Sequence, residues 1–312
     1  MSNVLLTGAT EFIAVHILEE LLSKGYSVRA AIRSDGKSKF LREQFPTSKL
    51  SFAIVPDIAV PGAFDDAVKD MDYIVHTASP FKAIVEDNLK DLLLPALNGT
   101  QEVVITSSFA AVFSGPLNLR GQKTYTEEDW NDISWDEALK SDGRVAYRAS
   151  KKFAEMAVWD FVKSNKAPFS VTVLNPPLVW GPMKQEVSLS TLNTSNSYIY
   201  NLMQNTVNLD PSYIFGFVDV RDLAIAHVAA LGNPKAENQR IIVSGGLYTY
   251  AALIGVMQKY RAQGEAYSVG PDDSDDWCME ANENGGIDSS KAKEILGIFF
   301  RPFKDTIVDT VR

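Results

Sequence analysis

Apolar residues recur along the first half of the chain in two alternating rhythms. Val4-Leu5-Leu6 is a short continuous run. It is followed by Thr7-Gly8-Ala9-Thr10 and then by Phe12, Ile13, Val15, Ile17, Leu18, Leu21 and Leu22 at helical spacing. Such a pattern reads strand, tight turn, helix. Lys24-Gly25 supplies a cation and a left-handed stop, after which Tyr26 to Ile32 has the β-branched and apolar content of a second strand. The spacing then predicts helix at 37–45, strand at 50–55, helix at 63–69 entered through Pro61, strand at 73–76, helix at 86–97 and strand at 103–106. Strands and helices in strict alternation specify a parallel α/β sheet covered on both faces.

Beyond Thr106 the rhythm loosens. A polar stretch, Ser114 to Ser134, precedes a predicted helix at 147–163 and a strand at 170–174 that ends in Asn175-Pro176-Pro177. The Asn- and Ser-rich segment 188–208 reads as part of a smaller lobe over the carboxyl edge of the sheet. A helix at 220–231 and a strand at 240–244 are the expected return to that sheet, and the chain from Leu247 onward is expected to rejoin the lobe.

Composition narrows the classes. With 46% hydrophobic and 22% charged residues, the 312-residue chain can bury a sizeable core. Its net charge of −9 and the absence of a basic patch argue against nucleic acid and anionic membrane as partners. The single cysteine, Cys278, makes no internal disulfide, and His16, His76 and His227 have no metal-ligand spacing. The first residues carry no signal-peptide pattern and no run has the length of a membrane span, so a soluble, cytoplasmic protein is expected, monomer or homodimer.

In an open parallel sheet the first βα turn is where a dinucleotide pyrophosphate meets a helix N-terminus. Here that turn runs Gly8 to Ala14, with small residues at the first and last positions of a Gly-x-x-Gly-x-x-Ala pattern and Glu11 at the central one. A glycine at that place lets backbone approach the pyrophosphate. Glu11 adds a side chain and a negative charge, yet glutamate also suits any first helical turn. At the end of the second strand, where an acid would bind a ribose, stand Arg33 and Lys37. Two cations favour a 2′-phosphate, although solvated charges at a strand end would look the same.

Tyr147 and Lys151 lie four residues apart on one helix face. Carbonyl reduction needs such a pair: a phenol protonates a developing alkoxide, and a neighbouring cation is expected to bring its pKa toward the working range. Chance alone gives about 0.7 occurrences of this spacing in a chain of this composition. Context adds weight, because the strand ending at Thr106 runs into Ser107-Ser108, whose hydroxyls would emerge at the same sheet edge and could hold a carbonyl oxygen. Ordinary turn chemistry explains those serines equally well.

Taken together and in order, the Thr-Gly-Ala start, Val55-Pro56-Asp57-Ile58, His76-Thr77-Ala78-Ser79-Pro80-Phe81, Thr106 to Val112, Tyr147 to Lys151, Asn175-Pro176-Pro177, Leu192 to Ser195 and Phe217 to Asp222 resemble the extended short-chain dehydrogenase/reductases. Within these they are most similar to the fungal methylglyoxal/aldehyde reductase (ketoreductase) branch related to dihydroflavonol reductases. The resemblance spans nearly the whole chain. It implies a Rossmann-type doubly wound parallel sheet with a smaller C-terminal substrate lobe: residues 1–175 with 213–246 returning form the dinucleotide-binding domain, and 176–212 with 247–312 the lobe. It implies Ser108, Tyr147 and Lys151 as the catalytic set, with Tyr147 and Lys151 also touching NADPH. Gly8, Thr10, Glu11, Phe12 and Ile13 would lie at the pyrophosphate, Arg33 and Lys37 at the 2′-phosphate, and Asp57 and Ile58 around the adenine. Thr77, Ala78 and Ser79 would run along the cofactor, with Pro176, Val179 and Ser195 near its nicotinamide half or phosphates. Phe81, Phe109, Phe113 and Leu178 would wall the substrate pocket, although core packing is an equal account of these four.

The chain departs from the family pattern at Glu11 and in a shortened connection, Asn98 to Glu102, before the strand at 103–106; the stretches 184–189 and 260–269 also look abbreviated. The activity implied is NADPH-dependent reduction of small or medium aldehydes and ketones, with NADH the less suited cofactor and no metal. A nucleotide-sugar epimerase or dehydratase of the same superfamily, and a non-catalytic dinucleotide sensor, are the alternatives.

Overall fold

A computed structural model describes residues 2–78, 99–114, 123–141, 143–188, 192–204, 214–260 and 286–312. The predicted helix at 86–97, together with Ser79, Phe81 and Cys278, lies outside the described residues. Seven parallel strands form the central sheet: β1 (Asn3–Thr7), β2 (Ser27–Ile32), β3 (Leu50–Ile54), β4 (Tyr73–His76), β5 (Glu102–Thr106), β7 (Ser170–Asn175) and β10 (Gln239–Ile242). Their order is β10-β7-β5-β4-β1-β2-β3, every pairing parallel. This is the Rossmann-type doubly wound arrangement, and its strand order reverses direction between β1 and β4.

Burial explains why the strands read as unbroken apolar runs. Val4 and Leu6 of β1 face a cluster built on helices α1 (Phe12–Ser23) and α6 (Val220–Ala230), while Leu5 faces a second cluster that contains Phe64, Val158 and Phe161. Likewise Val104 of β5 lies on the first side and Val103 and Ile105 on the other. A strand buried on both faces has no polar side to alternate with. Helix α1 ends where Lys24 caps it in helical conformation and Gly25 takes φ +89°.

Two of the predicted helices differ from the sequence reading. Residues 61–70 form successive turns rather than a helix, with Ala63 N–H donating to Val60 and Asp65 N–H to Gly62, both i to i−3. Gly62 (φ +76°) and Asp70 (φ 61°) bracket the segment with left-handed backbone, which a right-handed helix does not accommodate. The helix expected to open at Tyr147 starts at Gly143 and runs to Asn165; it is α4, preceded by the short α3 (Trp135–Lys140), whose Ser134–Glu137 capping box sets its start. Tyr147 therefore sits in the second turn.

The remaining strands lie away from the main sheet. β8 (Leu178–Trp180) pairs in parallel with β9 (Ile214–Asp219), which pairs antiparallel with β11 (Gly246–Thr249). This three-stranded sheet packs on an aromatic cluster of Trp180, Phe217, Tyr248 and Phe303 with α5 (Thr194–Met203), α7 (Tyr250–Tyr260) and α9 (Phe303–Val311). β6 (Thr124–Tyr125) pairs in parallel with β12 (Gly286–Ile287), and α2 (Gly36–Gln44) and α8 (Ser290–Leu296) complete the elements described. No helix among the described residues is long and apolar enough to cross a membrane.

Two histidines are built into this frame as neutral groups. His227 accepts from Thr106 Oγ1 at Nε2 (2.7 Å) and donates from Nδ1 to the Leu223 carbonyl (2.7 Å), and burial lowers its pKa to about 4. His76, 2.9 Å from Thr7 Oγ1, is lowered to about 4 by burial, with the Lys151 charge adding to the effect. A folded pKa below the unfolded value means that the unfolded chain binds more protons between about pH 6.5 and 4. Each histidine thus removes up to about 1.4 kcal/mol of stability per pH unit as pH falls through that window. His227→Gln is expected to destabilise at pH 7, with the gap to the parent narrowing at pH 5. Urea midpoints at the two pH values check this, and a gap that stays constant contradicts a neutral His227.

Candidate active site

The carboxyl ends of β1 and β4 are stitched together by one threonine. Thr7 Oγ1 accepts from the backbone N–H of Thr77 and of Ala78 (both 3.2 Å), and Thr77 Oγ1 donates to the Thr7 carbonyl at 2.7 Å. Gly8 follows at φ +66°, and a Cβ there would lie 3.0 Å from Thr77 Oγ1 and 3.2 Å from Ala78 N. The turn therefore fits against the β4 end only because position 8 has no side chain. Glu11 is exposed, closes the turn by donating its N–H to the Gly8 carbonyl (2.9 Å), and makes no side-chain cap on α1. The first-turn N–H groups of Phe12 and Ile13 are left without a carboxylate cap, the arrangement an anionic phosphate requires. Thr10 and Ile13 are half-buried beside them and Phe12 is buried.

The neighbouring strand ends carry the next set of sequence-predicted residues. Arg33, just after β2, is exposed. Lys37, in the first turn of α2, is also exposed, and its ammonium pairs with Glu186 at 2.8 Å. That acid belongs to the stretch after β8, which is further tied to α1 by Lys184–Glu19 (2.5 Å) and by a His16 to Pro182 carbonyl bond (2.9 Å). Asp57, after β3, accepts from Ala59 N–H at 2.9 Å, and Ile58 is half-buried. Glu186 was not singled out from the sequence, since an exposed glutamate 149 residues from its partner leaves no pattern.

At the end of β5 the structure brings the proposed chemical groups together. Ser108 caps the short 3₁₀ turn Phe109–Ala111, its Oγ accepting from Ala110 N–H at 3.1 Å, and its side chain lies near enough to the Tyr147 phenol to favour the ionised form. Lys151 Nζ lies 5.8 Å from the Tyr147 ring centre. Tyr147 is 44% exposed as a residue, yet its hydroxyl is desolvated. Burial pushes the phenol above its ordinary value, opposed by Ser108, and Lys151 is not among the groups that shift it. The sequence-based expectation that the ammonium lowers the phenol's pKa is thus corrected: desolvation dominates. Burial also drives the Lys151 ammonium down to about 8.

Beneath these groups lies a polar network that the sequence reading did not contain. Glu155, one turn beyond Lys151 on α4, is 3% exposed. Its Oε2 accepts from Ser107 Oγ (2.6 Å) and from Asn175 Nδ2 (2.7 Å), and its Oε1 from Arg240 Nε (2.5 Å). Arg240 in turn donates to the carbonyls of Glu127 (2.5 Å) and Asp129 (2.8 Å) and stacks 3.7 Å over Trp130. The one signal available beforehand was an acid at i+8 from Tyr147, on the helix stripe that continues toward buried Val158.

The candidate pocket residues divide. Phe109 is 4% exposed and packs with Val112, Ile242 and Leu247, so its ring belongs to the core. Phe113, half-buried, stacks on it at 5.3 Å and carries the Arg148 guanidinium on its ring. Leu178 is half-buried against the aromatic cluster, whereas Val179 is buried in the cluster of α1 and α6. Pro176 is buried, its carbonyl accepting from Phe109 N–H at 2.8 Å. The Ser195 carbonyl accepts from Trp180 Nε1 at 3.2 Å.

A doubly wound sheet with a glycine turn at β1 and a serine, tyrosine and lysine gathered at β5 defines the class, and the family follows from comparison. Residues 4–245 match the NAD dependent epimerase/dehydratase family, and the chain belongs to it. It is 36% identical to the ketoreductase azaE of Aspergillus niger, over 99% of this chain and 96% of the relative. It is 35% identical to the NADPH-dependent methylglyoxal reductase GRE2 of Saccharomyces cerevisiae, over the same shares. The crystal structure of yeast methylglyoxal/isovaleraldehyde reductase Gre2 complexed with NADPH superposes with a TM-score of 0.88 at 34% identity, covering 99% of this chain and 96% of that one.

The fit at Gly8 is testable. Gly8→Ala combines a left-handed backbone, which costs about 1–2 kcal/mol for a residue with a Cβ, with the close approach to Thr77 and Ala78. Gly25→Ala carries only the backbone strain, since its nearest neighbour would be Lys49 Nζ at 3.7 Å. Chemical unfolding is expected to rank Gly8→Ala as clearly the less stable; equal losses would mean that the turn has room for a side chain.

Proposed function

We propose that this chain is an NADPH-dependent reductase of small or medium aldehydes and ketones that works through Ser108, Tyr147 and Lys151. The observation that carries the reading is the gathering of Ser108 and the Tyr147 phenol, with the Lys151 ammonium 5.8 Å from the same ring, at the carboxyl end of β5. The names of the relatives support the cofactor and the substrate class. The residues present suit such a cofactor: a first helical turn free of a side-chain cap, a left-handed glycine in the turn that leads into it, and the exposed cations Arg33 and Lys37.

When bound, NADPH supplies the hydride; this chain's residues supply orientation and the proton. Ser108 and Tyr147 hold the substrate oxygen between their hydroxyls, polarising the carbonyl. A phenol kept above its ordinary pKa retains its proton at neutral pH and can deliver it to the oxygen as negative charge develops there. Lys151, charged below about pH 8 and beside the same ring, would hold the ribose hydroxyls of the cofactor and so place it against the phenol. Arg33 and Lys37 give the preference for a 2′-phosphate, for which Lys37 exchanges its Glu186 partner. Phe113 and Leu178 offer half-buried apolar surface to the substrate chain. Apolar surface of this kind suits a hydrocarbon better than a sugar nucleotide, which sets the epimerase reading second.

Tyr147→Phe is expected to lower turnover by on the order of 10²–10⁴-fold while NADPH affinity stays within about twofold. Cofactor consumption with methylglyoxal, an aliphatic aldehyde and an aromatic ketone, beside fluorescence titration of NADPH and NADH, measures both; undiminished turnover rejects the assignment. Reduction is also expected to slow above about pH 8 as Lys151 loses its proton. A rate that stays flat to pH 9.5 would exclude a charged lysine from the rate-limiting step.

A further inference from the structure

We propose that Glu155 is the positioning residue of this site: clamped by Arg240, it fixes the serine-bearing loop against the tyrosine-bearing helix and so sets the spacing of Ser108 and Tyr147. The proposal rests on the reductase reading given above. Tyr147, Lys151 and Glu155 follow one another at four-residue steps on α4, so the carboxylate projects from the same helix face as the two reactive groups. From there it reaches the strand that carries Ser108 by two routes. It accepts directly from Ser107, the preceding residue, and it accepts from Asn175, whose same Nδ2 also donates to the Ser108 carbonyl at 3.2 Å. Its other oxygen is taken by Arg240, in the edge strand β10.

Arg240 extends the clamp to the far side of the serine. It holds the carbonyls of Glu127 and Asp129, and Asn131 of the same loop donates from Nδ2 to the carbonyls of Ala110 (3.1 Å) and Phe113 (2.9 Å), which flank the turn behind Ser108. Lys152 closes the circuit from α4 by donating to the Ile133 carbonyl at 2.9 Å. The Ser108 turn is thus fixed at both ends to elements that meet at one buried carboxylate. Glu155 does not face the substrate. A glutamate at 3% exposure with all its hydrogen bonds directed at the loop and at Arg240 has no path to a reacting atom. Its effect is geometric, and a shift of about 1 Å in a reacting pair can lower a rate by as much as 10²-fold.

Glu155→Gln keeps the size and one acceptor oxygen but removes the charge that fastens Arg240. The control is Glu102→Gln. Glu102 is equally buried at 3% exposure, opens β5 at the end opposite the serines, and bonds Thr172 and the Gly232 N–H. Both variants are expected to melt at a lower temperature than the parent. Glu155→Gln is further expected to lose tenfold or more in kcat with NADPH affinity within twofold, and Glu102→Gln to keep its kcat within twofold. A kcat loss for Glu155→Gln no larger than that of Glu102→Gln overturns the proposal. If Glu155→Gln does not yield folded protein, Ser107→Ala breaks one route alone: a threefold or larger loss of kcat supports the proposal and an unchanged kcat overturns it. Tyr147→Phe in the same assay separates the two levels, since full turnover there removes the reductase reading itself, whereas low turnover there with normal Glu155→Gln removes only the positioning role.

Discussion

A carboxylate almost sealed from water organises the chemical end of this protein. Removing an ion from solvent costs several kcal/mol even after relaxation, and a buried charge persists only where donors surround it. Glu155 has three: a serine hydroxyl from the loop that leaves β5, an amide from β7 and a guanidinium from β10. Those strands are consecutive in the sheet, in the order β10-β7-β5, so one side chain of α4 reads the alignment of three neighbours at once. Directional bonds to a charge tolerate little error, which makes this junction a point of rigidity rather than of general cohesion.

The parallel sheet explains why two chemically distinct halves share one edge. Every strand ends on the same side, so the glycine turn after β1, the cations after β2 and the serine after β5 all emerge together. At the reversal of strand order, Thr7 binds the β1 and β4 ends through both its side chain and its carbonyl. Two cations, Arg33 and Lys37, stand at this edge of a chain of net charge −9. Lys37 is paired with Glu186, an exposed pairing of the sort that contributes at most about 1 kcal/mol and yields readily to a stronger anion.

The strands of the main sheet were legible in the amino-acid order because they are buried on both faces, and continuous apolar runs such as Val4-Leu5-Leu6 admit few other readings. Helix ends were less so. Gly143 is a poor helix former, and nothing in Gly143-Arg144-Val145-Ala146 announces a start, so the helix was expected one turn late. The stretch 63–69 had helical spacing, but left-handed backbone at Gly62 and Asp70 on either side of it holds it to turns. β8 is three residues long and β9 was visible only as the motif Phe217 to Asp222, since both strands depend on a lobe assembled from distant segments. At the site, Gly8, Ser108, Tyr147 and Lys151 carried local signatures. Glu155 and Arg240 did not, because their meaning arises from an encounter 85 residues apart. The direction of the Tyr147 pKa was misjudged for a related reason: desolvation is a property of the assembled site, whereas the neighbouring lysine is visible in the text of the chain.

The straight run of α4 through Tyr147, Lys151 and Glu155 has an evolutionary corollary. Each residue in an α-helix advances the azimuth by about 100°, so a single codon gained or lost between positions 147 and 155 would turn the acid away from Ser107, Asn175 and Arg240 whenever the phenol stays in place. Indels should therefore be purged from this stretch and accumulate in loops, where the chain can absorb them without disturbing any angular phase. The helix acts as a reading frame for side chains, and its length between those two positions is as much a part of the site as the residues themselves.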